Sequence, residues 1–100
     1  MTIVEQCESL CRQWHEEERP SFVVDYPNLA ETYDGPYYNK KVVEKTKYIC
    51  LDRGTSGVFI VDKATGEVFR IKAYGVVNRK KLVGHIDTLT GTELFQKSRW

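Results

Sequence analysis

The chain has 100 residues, the size of one ordinary domain, and 41% of them are hydrophobic. That share supports one core, and the mixture of charged residues, at 29%, excludes global disorder. Residues 1–38 carry two basic and eight acidic side chains, a net charge of −6, so the remainder carries +7. This asymmetry either steers partners to different faces or is neutralised where the two segments pack together.

The first residues and the cysteines indicate where the protein acts. No signal peptide is expected, because Glu5, Gln6 and Glu8 interrupt the first apolar run. No stretch approaches the roughly 20 apolar residues of a membrane span. Three cysteines cannot form a closed set of internal disulfides. The sequence therefore predicts a protein of a reducing cytoplasm that does not act at a membrane.

An amphipathic helix is predicted over residues 3–18. Thr2 and Glu5 have the spacing of a capping box at its start. Its apolar stripe, about 120° wide, consists of Ile3, Val4, Cys7, Leu10, Cys11 and Trp14. Pro20 is expected to end the helix, because the residue before a proline avoids the α region.

A long ordered loop is predicted between this helix and the rest of the chain. Ser21–Val24 is compatible with a short edge strand, and residues 25–41 show neither helical nor strand periodicity. We expect one helical turn there, around Asn28–Thr32. A loop of more than about a dozen residues in a small domain is usually functional or mobile.

The rest of the chain predicts an antiparallel sheet. The expected strands are Val42–Asp52, Val58–Asp62, Glu67–Tyr74 and Leu82–Ile86. The expected turns are Gly54–Gly57, Lys63–Gly66, with Gly66 as the left-handed residue, and Asn78–Lys81. Thr88–Trp100 is either a short helix or a tail docked by Leu94, Phe95 and Trp100. A meander of about four strands packed on one helix is an α+β fold, with residues 1–100 as one domain.

Two pairings of cysteine with histidine are candidates for chemistry. Cys7, Cys11 and His15 share one side of the helix, but buried cysteine packs as a small hydrophobe and structural zinc sites usually have four ligands. Cys50 and His85 can act as nucleophile and base only if the sheet brings them together, and a cysteine in the middle of a strand favours packing. We therefore predict no metal and no cofactor.

Neither the acidic run nor the glycines predict an enzyme. The three consecutive carboxylates of Glu16, Glu17 and Glu18 splay around the helix, which favours a solvated face over an acid–base or metal site. A partner-binding acidic patch is the alternative. The glycines are spaced as turn and bulge residues rather than as a phosphate-binding loop. The sequence therefore predicts a protein without catalytic residues.

The tyrosine-rich loop is the first candidate for a binding site. Its predicted partner-binding residues are Asp25, Tyr26, Glu31, Tyr33, Asp34, Tyr37 and Tyr38. Tyrosine is enriched at interfaces because it gives a large contact area at low entropic cost. The carboxylates would suit a basic protein, such as one that binds nucleic acid. The alternative is that the tyrosines fold back on the core as lids, with their hydroxyls in water.

A basic cluster is the second candidate. It consists of Arg70, Lys72, Arg79, Lys80 and Lys81. The first two share a predicted strand face, and the last three lie in the adjoining predicted turn. Together with Tyr74 they would suit a phosphate backbone and stacked bases. The alternative is a solubilising turn that protects a sheet edge.

One stretch also resembles known proteins. Val61–Val68 followed by Ile71–Gly75, within Gly57–Leu89 or about a third of the chain, is similar to small uncharacterised proteins of phages and mobile elements. The resemblance implies an accessory protein of the host cytoplasm. Anti-defence inhibitors, such as anti-CRISPR proteins, are one class of such proteins, and they usually act by binding. No site residue follows from it.

Two functions are therefore predicted from the sequence. The first is a non-enzymatic protein–protein binding module, a phage-type inhibitor of a host nucleic-acid-handling defence complex that acts through the tyrosine-rich loop. The second is a nucleic-acid-binding accessory protein that uses the basic cluster.

Overall fold

A computed structural model describes residues 1–99 and shows an α+β fold. Helix α1 spans Ile3–Asp25, a 3-10 turn spans Pro27–Thr32, and helix α2 spans Gly91–Lys97. The strands are β1 (Lys40–Glu44), β2 (Tyr48–Arg53), β3 (Ser56–Asp62), β4 (Glu67–Ala73) and β5 (Val76–His85). They form one antiparallel meander in the order β1-β2-β3-β4-β5. Neither helix of the described chain combines the length and apolar character needed to span a bilayer.

The sheet has five strands rather than the expected four, because the segment predicted as one strand, Val42–Asp52, folds into a hairpin. Val42 of β1 pairs with Leu51 of β2, and the Lys45 N–H donates to the Tyr48 carbonyl at 2.8 Å. The turn residues at 45–47 are Lys-Thr-Lys, without the glycine, proline, asparagine or aspartate that usually marks a turn. These three residues therefore contain no local signal for a turn.

Helix α1 continues through Pro20, so the predicted helix end and the predicted strand at Ser21–Val24 are wrong. Proline lacks the N–H that would bond the carbonyl four residues earlier. Contacts on both sides of it hold the helical path: Glu18 is bound by the sheet, and Phe22 is 8% exposed and packs against the Tyr33 ring. Tertiary packing thus outweighs the local preference of the residue before proline.

Strand β5 passes through Asn78–Lys81, which was predicted as a turn. The turn between β4 and β5 lies at Tyr74–Gly75, where Gly75 has φ +76°. The pairing register shifts between Phe69 and Ile71, because Asn78–Lys81 lies opposite a single residue of β4. Extra residues in one strand of a pair form a β-bulge. Because these residues lie outside the regular ladder, their polar sequence resembles that of a turn.

Each face of the sheet carries an apolar cluster. On the face that packs against α1, the rings of Trp14 and Phe59 meet edge to face with their centres 5.1 Å apart. The opposite face carries a smaller cluster made of Cys50, Ile60 and Phe69. The Arg79 side chain covers this second cluster, since its guanidinium carbon lies 5.5 Å from the Phe69 ring centre. The bulge in β5 therefore closes part of the face that lacks α1.

Several local predictions are confirmed. Thr2 and Glu5 form the capping box of α1, and Gly66 adopts φ +77° in the β3–β4 turn. The short-helix alternative for the last segment is confirmed by α2, which has its own capping box at Thr90 and Glu93 and buries Leu94. The predicted docking of Trp100 lies outside the described residues.

Replacing Pro20 by alanine should stabilise the protein. Alanine restores the missing N–H inside a continuous helix, so the free energy of unfolding should rise by about 1–3 kcal/mol. Urea unfolding followed by circular dichroism measures this change. Glu17→Ala, an exposed substitution in the same helix, should stay within about 0.5 kcal/mol of the parent. A Pro20→Ala variant that is less stable than the parent would show that α1 ends near Arg19 in solution.

Candidate functional site

Exposed apolar side chains concentrate at the C-terminal end of α1 and in the segment that follows it as far as β1. Of the nine large hydrophobic side chains that are exposed in residues 1–99, five fall within positions 23–37. Tyr37 is 77% exposed, Val24 78% and Tyr26 55%. Positions 23–38 also contain three acidic residues and no basic one. We use the name tyrosine surface for six of the exposed residues of this segment: Val24, Asp25, Tyr26, Leu29, Glu31 and Tyr37.

The structure divides the predicted loop residues between this surface and the core. Tyr33 is fully buried and therefore belongs to the core, and its hydroxyl donates to the His15 carbonyl at 2.7 Å instead of meeting water. Tyr38 is half-buried, with its ring centre 4.8 Å from that of Phe22. Asp34 is exposed but is held by Arg19 and His15. Of the predicted residues, Asp25, Tyr26, Glu31 and Tyr37 therefore remain exposed and available to a partner.

A buried ammonium group anchors the loop to α1. The Lys40 side chain is 1% exposed, and its Nζ lies 2.8 Å from a Glu18 carboxylate oxygen. It also donates to the Tyr33 hydroxyl at 3.2 Å and to the Tyr38 carbonyl at 3.1 Å. Burial lowers the pKa of Lys40, while the Glu18 hydrogen bond opposes that effect. One cation thus joins β1, the loop and α1.

His15 occupies the same network in a defined tautomer. Its Nδ1 lies 3.1 Å from the Lys40 Nζ, and a proton on Nδ1 would point at the ammonium hydrogens, so Nδ1 carries the lone pair. The proton then sits on Nε2, which donates to an Asp34 oxygen at 2.8 Å. The ring stacks on Tyr33 with centres 4.1 Å apart. Burial is the main cause of the lowered pKa of His15, which keeps the imidazole neutral.

The remaining loop contacts fix its exposed side. The Arg19 guanidinium binds both Glu16 and Asp34, and hydrogen bonds from Arg19 and then His15 lower the pKa of Asp34 to about 2. At the other end of the loop, Gly54 has φ +59°, and a Cβ there would lie 2.0 Å from the Tyr37 carbonyl oxygen. The backbone of Tyr37 therefore rests directly on the turn between β2 and β3. The tyrosine surface is held in place from both sides.

The acidic run at positions 16–18 does not form one solvated face. Glu17 is exposed and Glu16 pairs with Arg19, but Glu18 is 12% exposed and binds Lys40 and Arg53. Glu18 is therefore where packing neutralises charge between the acidic and basic halves of the chain. Its spacing from Trp14 and Phe22, four residues on either side, is the sequence signal that could have revealed its inward direction.

The basic cluster is split by the sheet. Arg70 is half-buried, lies over the Phe59 ring on the α1 side and donates to the Val58 carbonyl. Arg79 lies over Phe69 on the opposite face. Lys72 and Lys80 are exposed, and Lys81 is half-exposed. The five residues therefore do not converge on one surface, contrary to the predicted arrangement of strand face and adjoining turn.

The cysteine and histidine candidates are not brought together for chemistry. Burial raises the pKa of Cys7 and of Cys11 to about 12, so neither is a thiolate at neutral pH. In residues 1–99 no three cysteine, histidine or acidic side chains are grouped so as to hold a metal ion. Cys50 lies in β2, and β3 and β4 separate it from His85 in β5.

Comparison of the chain with models of known protein families gave no match, and comparisons with curated proteins and with solved structures gave none either. The resemblance to phage and mobile-element proteins therefore stays a prediction. What the side chains themselves present is a preorganised acidic and aromatic surface supported by a buried polar network.

Removing the buried cation should destabilise the fold strongly. Lys40→Met leaves the Glu18 carboxylate largely buried with Arg53 as its remaining cation, so the free energy of unfolding should fall by about 3–5 kcal/mol. Chemical denaturation measures the loss. Lys41→Met, an exposed neighbour on the same strand, should change stability by no more than about 0.5 kcal/mol. Similar small effects for both variants would mean that the network contributes little to stability.

Stability should fall when His15 becomes protonated. Its pKa in the folded protein lies below the ordinary value of 6.5, so the unfolded chain binds the proton first as the pH decreases. The stabilisation is fully present above about pH 6.5 and is lost as the pH falls through the lowered pKa. His15→Gln should flatten this part of the pH profile, with His85→Gln as the control. Equal slopes in the parent and the His15→Gln variant would contradict the neutral assignment.

Proposed function

We propose that this protein is a non-enzymatic binding module whose tyrosine surface docks on a basic surface of another protein. The observation that carries the proposal is the concentration of exposed apolar side chains in a segment with acidic and no basic residues. Aromatic anchors surrounded by charged groups are typical of protein interfaces, where the aromatic residues supply affinity and the charges steer association.

The rigidity of the segment supports the same role. Ordering a loop during binding costs free energy, and this loop is already held by Lys40, Tyr33 and the turn at Gly54. Tyr26 and Tyr37 can therefore bind without a large ordering cost. The raised pKa values of the buried thiols Cys7 and Cys11 argue against nucleophilic chemistry at these two residues.

The class of partner follows from charge. A protein surface that binds nucleic acid is rich in lysine and arginine, which complements Asp25 and Glu31. In line with the resemblance of Gly57–Leu89 to phage and mobile-element proteins, we propose that the module inhibits a host nucleic-acid-handling complex, such as a defence complex. It would do so by covering the basic surface that the nucleic acid needs.

Direct binding of nucleic acid is the alternative, and the exposed lysines Lys72 and Lys80 favour it. Capture of partners from a host lysate, with and without nuclease, separates the two functions. A protein that is retained after nuclease treatment fits the tyrosine surface, whereas loss of all captured material after nuclease fits the lysines.

With the captured protein in hand, Tyr37→Ala and Tyr26→Ala should each weaken binding by about 2 kcal/mol, or roughly thirtyfold, as expected for interface anchors. Glu31→Gln should mainly slow association and reduce its dependence on salt. Binding isotherms and association rates at two salt concentrations measure these effects.

Two control variants make this test specific. Leu82→Ala removes an apolar side chain that is 48% exposed on β5, outside the tyrosine surface, and should leave binding unchanged. The double variant Lys72→Glu/Lys80→Glu should also bind normally. Loss of binding only in the lysine variant, with a steep salt dependence, would refute the protein-partner proposal and favour nucleic acid.

A further inference from the structure

The two edges of the sheet differ in their protection against pairing with another strand. At β5, Asn78–Lys81 bulges, and antiparallel self-pairing centred on Lys80 would bring the cationic run Arg79–Lys81 against a second copy of itself. Bulges and like charges are the devices by which natural sheets block edge pairing. The outer edge of β1 is a regular five-residue strand, KKVVE, with both signs of charge.

The hydrogen bonds of β1 show which of its backbone groups face outward. The Asn39 carbonyl accepts from the Gly54 N–H, and the Lys45 N–H donates to Tyr48, so the odd-numbered residues of this stretch face β2. In an antiparallel pair the intervening residues direct both N–H and C=O away from the partner strand. Val42, at the centre of β1, therefore directs its N–H and C=O groups outward. The outward N–H of Lys40 is already bonded by the Asn39 side chain at 2.9 Å.

A groove of about 320 Å³ runs along this edge, between α1 and β1. Its lining residues are Glu8, Cys11, Arg12, His15, Asn39, Lys40 and Val42. Glu8 and Arg12 are exposed and lie one helical turn apart. Within residues 1–99 neither of them forms a salt bridge, either with the other or with another side chain.

We propose that β1 pairs antiparallel with β1 of a second copy of this chain, across a two-fold axis at Val42. The two Val42 residues would then exchange both of their N–H···O=C bonds, which is the hydrogen-bonded pair of an antiparallel ladder. In this register Lys41 lies opposite Val43, and Lys40 lies opposite Glu44. No like charges lie directly opposite each other along the strands, in contrast to a β5 pair centred on Lys80.

The same two-fold axis also brings an oppositely charged side chain to each of Glu8 and Arg12 on α1. The helix runs antiparallel to β1, since His15 lies beside Lys40 while Cys11 and Arg12 line the groove with Val42. A two-fold axis perpendicular to the sheet brings the two α1 helices side by side and antiparallel. Glu8 of each copy then faces Arg12 of the other, as an isologous interface requires.

A second copy fits this edge better than an unrelated extended segment. An acidic segment would satisfy Arg12 and leave Glu8 unpaired, and a basic segment would do the reverse. A second α1 helix in antiparallel orientation presents both charges in the order needed. The dimer uses β1 and the middle of α1, so it does not depend on the function proposed for the tyrosine surface.

Analytical ultracentrifugation of the full chain across a range of concentrations tests the dimer. We expect a monomer–dimer equilibrium in the parent protein. Glu8→Arg and Arg12→Glu should each raise the dimer dissociation constant by about tenfold or more, because like charges then face each other across the axis. The double swap Glu8→Arg/Arg12→Glu restores opposite charges and should return the constant to within about threefold of the parent value.

Two further variants test the strand pairing and the specificity of the charges. Val42→Pro should abolish dimerisation, because it removes the outward N–H that pairs with the second copy. The fold of the monomer should be kept, because proline is tolerated on an edge strand at a position whose N–H faces solvent. Its circular dichroism spectrum shows whether the fold is kept. Glu17→Arg, which changes the net charge by the same amount as Glu8→Arg but lies outside the groove, should dimerise normally. A parent protein that is monomeric at all concentrations, or a dimer that neither the swap series nor Val42→Pro affects, would overturn the proposal.

Discussion

The buried ammonium group of Lys40 is the constraint on which the rest of the structure depends. A charge that is removed from water must be paired and hydrogen-bonded, or it costs several kcal/mol. Here four acceptors surround its three N–H groups: the Glu18 carboxylate, the His15 ring nitrogen, the Tyr33 hydroxyl and the Tyr38 carbonyl. These partners come from α1 and from the loop, so the ammonium can be buried only when all three segments are in place.

This arrangement explains why a segment with the composition of a loop has a fixed conformation. Tyr33 is drawn into the core, where its ring stacks on His15, and Asp34 follows it to bind Arg19 from outside. Because the inward-facing residues of the loop are fixed and its backbone rests on the turn at Gly54, the backbone that carries the exposed Tyr37 is held as well. The polar network stabilises the fold, and the exposed residues of the tyrosine surface would supply the proposed contact with a partner.

Charge has a different role in each part of the molecule. At Glu18 it joins the acidic half of the chain to the basic half, and at Asn78–Lys81 it protects one edge of the sheet. On α1, Glu8 and Arg12 remain without a salt bridge in the described chain. A net charge near zero therefore hides surfaces with distinct properties, and the proposed functions follow from these local differences.

The sequence by itself determined the features that depend on neighbouring residues, such as the capping box at Thr2, the left-handed Gly66 and the meander of strands. It also placed the helical turn that follows α1. Capping, periodicity and turn chemistry act over a few residues, so they can be read directly from the chain. The hairpin turn at residues 45–47 was not predicted, because it contains none of the residues that usually mark a turn.

Only the tertiary structure decided the features that depend on distant contacts. Helix α1 passes Pro20 because Glu18 and Phe22 are held by the sheet and the loop. Tyr33 is buried while Tyr37 is exposed, although both lie in the same acidic, aromatic segment. No local pattern distinguishes such residues, because their environment is set by a lysine and a helix that meet them only in the folded chain.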